Sequence, residues 1–111
     1  MEFTRLSERM VVTPQLQSKD IAEVAGAGFV GLMNNRPDGE EPGQLTSADL
    51  EAQVRQHGLT YWHVPIIPGQ ITETDVRDFA AALRTVEGPV LAFCRTGSRS
   101  TALWKAAEAL S

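Results

Sequence analysis

The sequence predicts a single α/β domain, residues 1–111, with a mostly parallel central sheet and helices on both faces. Short apolar runs at residues 10–12, 29–33, 59–67 and 90–93 alternate with stretches of helical period. Strands separated by helices call for crossover connections, and crossovers give parallel pairing. The 111 residues are 42% hydrophobic and 22% charged, a balance that supports one core and excludes a disordered chain.

The elements follow in order. Residues 10–12, Met-Val-Val, form a first strand that Thr13-Pro14 ends, since proline cannot continue a central ladder. Ser18 is placed to cap a short helix with a core stripe of Ile21, Val24 and Ala25, which Gly26 and Gly28 stop. Residues 29–33 read as a buried parallel strand. Residues 34–44 are polar and rich in Pro and Gly, which predicts a loop. Thr46 or Ser47 opens a second helix with Leu50 and Val54 inward, ending at His57-Gly58. Residues 59–67 are a third strand region, punctuated by Pro65 and Pro68-Gly69. Thr72 with Asp75 has the spacing of a capping box. The helix after it has the clearest period in the chain, through Val76, Phe79, Ala80, Leu83 and Val86. Gly88-Pro89 breaks it, residues 90–93 form the last strand, and a final helix carries Leu103, Ala106, Ala107 and Leu110 on one face.

Composition narrows the function. The net charge is −4 and the pI near 5.1, with no Lys/Arg stripe, so nucleic acid is not an expected partner. The single cysteine excludes an internal disulfide and a cysteine-based zinc site. His57 and His63 are too few and too poorly spaced for a metal centre, and no metal or other cofactor is expected. No apolar run approaches the roughly 20 residues of a membrane span. The first residues, Met-Glu-Phe-Thr-Arg-Leu, lack a signal-peptide core, so a reducing cytoplasmic setting is the expectation.

In parallel sheets ligands sit beyond the carboxyl ends of the strands. Three post-strand loops are expected there: residues 34–44, residues 66–72, and the one after Phe93. The last reads Phe93-Cys94-Arg95-Thr96-Gly97-Ser98-Arg99-Ser100-Thr101. The sole cysteine thus falls where a buried strand turns into a helix. Amides at a helix N-terminus lack intrahelical partners and lie at the positive end of the macrodipole. The amides of residues 95–99 are therefore expected to cradle an anion, with Arg95, Thr96, Gly97, Ser98 and Ser100 as binding positions. A sulfur in that setting is expected to be largely thiolate. Arg99 adds a planar fork suited to a tetrahedral oxyanion, and Ser100 is placed to bond the sulfur. The chemistry suggested is attack by Cys94 on a small anionic substrate through a covalent intermediate.

Arg36, after a strand end, is a candidate second positive charge. Asp38 is a candidate general acid, with Glu40 and Glu41 in the same loop. His63 is expected to pair with nearby backbone, and Tyr61, Trp62 and Trp104 to pack.

Residues 7–16 (Ser-Glu-Arg-Met-Val-Val-Thr-Pro-Gln-Leu) resemble the opening of the phosphatase-like domain of beta-lactamase hydrolase-like proteins. So do residues 31–40, His63-Val64-Pro65 with Pro68-Gly69-Gln70-Ile71-Thr72, and residues 93–100, in the same order. The resemblance covers nearly the whole chain. It implies a fold like that of the cysteine-dependent dual-specificity phosphatases. Some members of the family carry a fused metallo-β-lactamase-fold domain, which these residues do not include; a partner domain acting in trans is an analogy only.

The residues depart from the phosphatase pattern in three places. Cysteine phosphatases place five residues between Cys and Arg, whereas four separate Cys94 from Arg99, a spacing that resembles the active loop of rhodanese sulfurtransferases. The segment Ile66-Ile67-Pro68-Gly69-Gln70 holds no aspartate where those phosphatases place their general acid, a group worth roughly 10²–10⁴-fold. Phe93 stands before the cysteine, where those phosphatases commonly have His.

On these grounds the first expectation is a sulfurtransferase. Cys94 takes the outer sulfur of thiosulfate or a persulfide, and a thiol acceptor then removes it. The alternative is a phosphomonoester hydrolase that forms a Cys94 phosphocysteine. A third is a non-enzymatic anion-binding module with an ordinary thiol. Oligomeric state is not readable from these residues.

Overall fold

A computed structural model of the chain describes residues 1–110. Five strands form one sheet in the order β1-β2-β5-β3-β4: β1 (Thr4–Arg5), β2 (Met10–Thr13), β3 (Gly31–Asn34), β4 (Thr60–His63) and β5 (Val90–Phe93). The last four pair in parallel, while β1 lies antiparallel on β2 at the edge. β1 has no counterpart among the predicted strands. Two exposed residues carry no periodicity, and the pairing arises because Leu6 and Ser7 N–H groups turn back onto the Met10 carbonyl at 2.9 and 3.1 Å.

Four helices, α1 (Ile21–Gly26), α2 (Ser47–Gln56), α3 (Glu73–Arg84) and α4 (Ser98–Ala109), cover the sheet. Side chains alternate across it. Val11, Leu32, Leu91 and Phe93 meet Ile21 and Val24 of α1 and Leu50 and Val54 of α2. Met10, Val12, Met33, Val90 and Ala92 meet Val76, Phe79 and Ala82 of α3 and Leu103 of α4. Each large apolar side chain removed from water contributes roughly 1.5–3 kcal/mol. Burial of both faces explains why these strands read as continuous apolar runs. None of the helices, among the described residues, is long and apolar enough to cross a membrane.

The caps follow the sequence, with one correction. Thr46 Oγ1 accepts from Asp49 N–H at 3.2 Å. Thr72 and Asp75 cap each other at 2.9 and 3.1 Å. Ser18, expected to cap α1, instead lies inside a short 3₁₀ turn (Ser18–Asp20), where the Asp20 carboxylate accepts from Gln17 N–H at 2.7 Å. Two further expectations shift. The strand region 59–67 is regular strand only over β4, and Ile67 is 56% exposed beyond it. Leu110 is 73% exposed, so α4 packs through Leu103 with Trp104, Ala106 and Ala107 beside it. Gly31 is required by packing, because a Cβ there would sit 2.5 Å from the Trp62 ring.

Candidate active site

β5 lies between β2 and β3, so the chain leaving its carboxyl end is flanked by backbone on both sides. Asn35 N–H donates to the Phe93 carbonyl at 2.8 Å, and Gln15 N–H donates to the Arg95 carbonyl at 3.1 Å. Pinned in this way, the loop turns into α4 at Gly97, whose φ of 94° is left-handed. A side chain there would be strained, with its Cβ 3.6 Å from the Thr13 carbonyl oxygen.

The turn wraps the loop around Cys94, which is fully buried. Gly97 N–H donates to its Sγ at 3.1 Å. Burial alone would raise the thiol pKa, but the nearby backbone N–H groups of Ser100, Thr96, Arg99 and Gly97 hold it below the ordinary value. These amides differ from the predicted set. Ser98 N–H is taken by Thr96 Oγ1 at 3.3 Å, and the amide of Ser100 serves in the ring. The Ser100 hydroxyl does not bond the sulfur. It donates to Asn35 Oδ1 at 2.8 Å.

Arg99 stands beside this ring. Its Nη1 donates to Glu40 Oε2 at 2.7 Å and to the Ile66 carbonyl at 2.9 Å, and its Nη2 donates to Glu40 Oε1 at 2.8 Å. The Glu40 bond, against some desolvation, raises the guanidinium pKa, and Cys94 adds to the rise. The hydrogen bond from Arg99 leads the effects that bring Glu40 down to about 2, with burial opposing and Arg36 assisting. Glu40 is thus an anion at any working pH and holds no proton to give.

The loop of residues 34–44 differs from expectation in two respects. Arg36 is 1% exposed, and its donors go to Glu40 (2.8 Å), Gln15 (2.9 Å) and Glu41 (3.1 Å). It reaches Arg99 through Glu40, which bonds both guanidinium groups. Asp38 Oδ1 accepts from Ser47 N–H at 2.8 Å, so this carboxylate caps α2 and the structure does not bring it to Arg99. His63 Nε2 lies 2.9 Å from the Arg36 carbonyl oxygen, pairing with backbone as the sequence suggests. The Tyr61 hydroxyl is buried between Asn34 Nδ2 (3.1 Å) and Ser47 Oγ (2.6 Å).

Asn35 is the residue that sequence reasoning missed. It is fully buried, accepts from Ser100 Oγ, and donates from Nδ2 to the Val64 carbonyl at 3.0 Å. Its own carbonyl accepts from Ile66 N–H at 2.9 Å. One side chain and its backbone thus tie β3, the segment after β4, and the Cys94 loop. The available signal was an amide side chain directly after an apolar strand, where a buried polar group needs partners.

A cleft of about 680 Å³ opens beside the ring, lined by Ile66, Pro68, Ile71, Arg95, Thr96 and Arg99 among others. Arg95 is exposed there. No carboxylate lines this cleft. Cys94 is fully buried and is not among the residues that line the cleft, whereas Arg95, Thr96 and Arg99 are.

The family model for the beta-lactamase hydrolase-like protein, phosphatase-like domain, matches residues 2–111. A beta-lactamase hydrolase-like protein of Agrobacterium fabrum is 36% identical over 110 residues, which are 99% of this chain and 26% of that relative. The chain thus spans about a quarter of the length of such relatives. A crystal structure of a candidate phosphatase from Neisseria meningitidis is 37% identical with a TM-score of 0.82, covering 90% of this chain and 71% of that one. P. aeruginosa TpbA in complex with phosphotyrosine is similar in fold alone, at 18% identity and a TM-score of 0.60 over 86% of this chain and 54% of that one. The fold is that of a cysteine phosphatase-type enzyme.

Proposed function

The chain belongs to the family of the beta-lactamase hydrolase-like protein, phosphatase-like domain, and from that premise we propose that it is a phosphomonoester hydrolase acting through a Cys94 phosphocysteine. The observation that carries this reading is the Gly97 N–H bond to the buried Cys94 sulfur at the start of α4, with Arg99 in the same turn. The thiolate attacks phosphorus, the P–O bond to the leaving group breaks, and that oxygen departs with the electron pair. Amides and guanidinium bind the equatorial oxygens as charge spreads over them. Water then attacks phosphorus, the P–S bond breaks, and the thiolate returns as inorganic phosphate leaves with the water's protons. Small anions with a phosphoryl head are the substrates that this reading assigns, in line with the phosphotyrosine bound by TpbA.

One observation favours a second reading, sulfur transfer: only four residues separate Cys94 from Arg99, which leaves a tighter loop than the phosphatase spacing. Against it, the solved relatives of this chain are named as phosphatases.

Hydrolysis of an aryl phosphate decides between them. We expect turnover that Cys94→Ser abolishes and that Arg99→Ala lowers by roughly 10²–10³-fold, the usual loss for one transition-state donor. Wild-type turnover of thiosulfate to a thiol acceptor, with no phosphate released from the aryl ester, would replace this reading by the second.

A further inference from the structure

Glu40 takes no part in the reaction as written, yet its carboxylate bridges two guanidinium groups. Oε1 accepts from Arg36 Nε and Arg99 Nη2, both at 2.8 Å, and Oε2 accepts from Arg99 Nη1 at 2.7 Å. The bridge is anchored in the protein, because Arg36 is buried and its other nitrogens bond Gln15 and Glu41. Its other end reaches the guanidinium beside the nucleophile.

Arg99 has five N–H donors in a rigid fork. Both on Nη1 are spent, on Glu40 and the Ile66 carbonyl, and one on Nη2 is spent on Glu40. The Nε–H and the second Nη2–H are left, and they form one parallel edge suited to two oxygens of an oxyanion. Glu40 thereby decides which edge of Arg99 faces the substrate. It also cancels charge. Glu40 and Glu41 match Arg36 and Arg99, which leaves the exposed Arg95 against the Cys94 thiolate. A phosphatase cradle that relied on an unpaired arginine would hold a doubly charged head more strongly.

We propose that Glu40 is a positioning and specificity residue. It grips Arg99 by the Nη end and, as a fixed negative charge, lowers the preference of the site for doubly charged over singly charged tetrahedral heads. The inference rests on the reading of Cys94 and Arg99 as the reacting pair.

Tungstate and perrhenate test it, since both are tetrahedral and they differ by one charge. Their affinities are measured by calorimetry at one low ionic strength, on the whole chain. Removing a nearby negative charge favours the dianion more than the monoanion, so Glu40→Gln raises the tungstate-to-perrhenate affinity ratio about fivefold. In the same variant kcat on an aryl phosphate falls roughly tenfold or more, because Arg99 is no longer fixed. Glu40→Asp keeps the charge but cannot span both guanidiniums, so the ratio stays at the wild-type value while kcat falls. Glu41→Gln removes the same charge from a group bonded only to Arg36 and shifts the ratio less.

An unchanged ratio in folded Glu40→Gln, or an equal shift in Glu40→Asp, overturns the charge role. Wild-type kcat in Glu40→Asp overturns the positioning role, even if Glu40→Gln does not fold. The anion ratios need no chemistry. An inactive wild type that still shows the shift would defeat the proposed reaction and the positioning role, and leave the charge role standing.

Discussion

The environment of the Cys94 sulfur is set chiefly by backbone, with the Arg99 guanidinium adding to it. Cys94 is buried, which by itself disfavours a thiolate, and the N–H groups of the following turn reverse that penalty. Gly97 makes the reversal feasible, because its left-handed φ of 94° lets the chain fold its amides inward. The folded thiol pKa lies below that of the unfolded chain, near about 8.5. Such a group stabilises the fold fully above the unfolded value, and the contribution is lost as pH falls through the folded one. The melting temperature of wild type should therefore gain on that of Cys94→Ser as pH rises between the two values. Iodoacetamide alkylation should titrate with a midpoint below that of a free thiol. An ordinary midpoint together with a pH-independent difference in melting temperature would show that the amides do not ionise the sulfur.

At the scale of elements, the Cys94 loop was legible because it combines three local signals: an apolar strand, a glycine turn and an arginine that starts a helix. The acidic loop was not. Its composition marks residues 34–44 as loop, but nothing local assigns Asp38 to the α2 N-terminus and Glu40 to Arg99, since those partners are remote in sequence. Asn35 was missed for the same reason, as its partners Ser100 and Val64 come from other segments. Asn35→Ala leaves a buried hydroxyl and a carbonyl unpaired and should destabilise the fold by about 2–4 kcal/mol in chemical denaturation. Asp38→Ala removes a cap and should remove about 1 kcal/mol, with the pH profile of turnover unaltered. A lost acidic or basic limb in that profile would restore Asp38 as a general acid. The β1 hairpin and the exposed Leu110 escaped sequence reading because edge pairing and helix ends depend on what lies alongside.

For the whole molecule, strand order places the site. Because β5 sits between β2 and β3, the loops after all three strands meet at one carboxyl end, as an open parallel sheet requires. Alternation alone foresaw a parallel sheet with helices on both faces and with residues 34–44, 66–72 and the Cys94 loop at one end, but not the strand order. The reaction was less legible. Loop length points to sulfur, whereas the family and its solved members point to phosphoryl transfer. No carboxylate lines the 680 Å³ cleft, and Glu40, brought down to about 2, cannot protonate a leaving group. A phosphatase so built depends on substrates whose leaving groups need no proton. Across a series of phosphate esters, acidic phenols should leave faster than alkyl alcohols by roughly 10²–10⁴-fold beyond the spread seen with an acid-equipped enzyme. A flat series would show that an acid operates after all.

Intact mass of the protein, quenched within one turnover of mixing with para-nitrophenyl phosphate, tests the central claim most directly. Wild type should gain the mass of one phosphoryl group, located on Cys94, and Cys94→Ser should gain nothing. Phosphate release with no adduct at any quench time, or an adduct that persists in Cys94→Ser, would contradict nucleophilic attack by this sulfur.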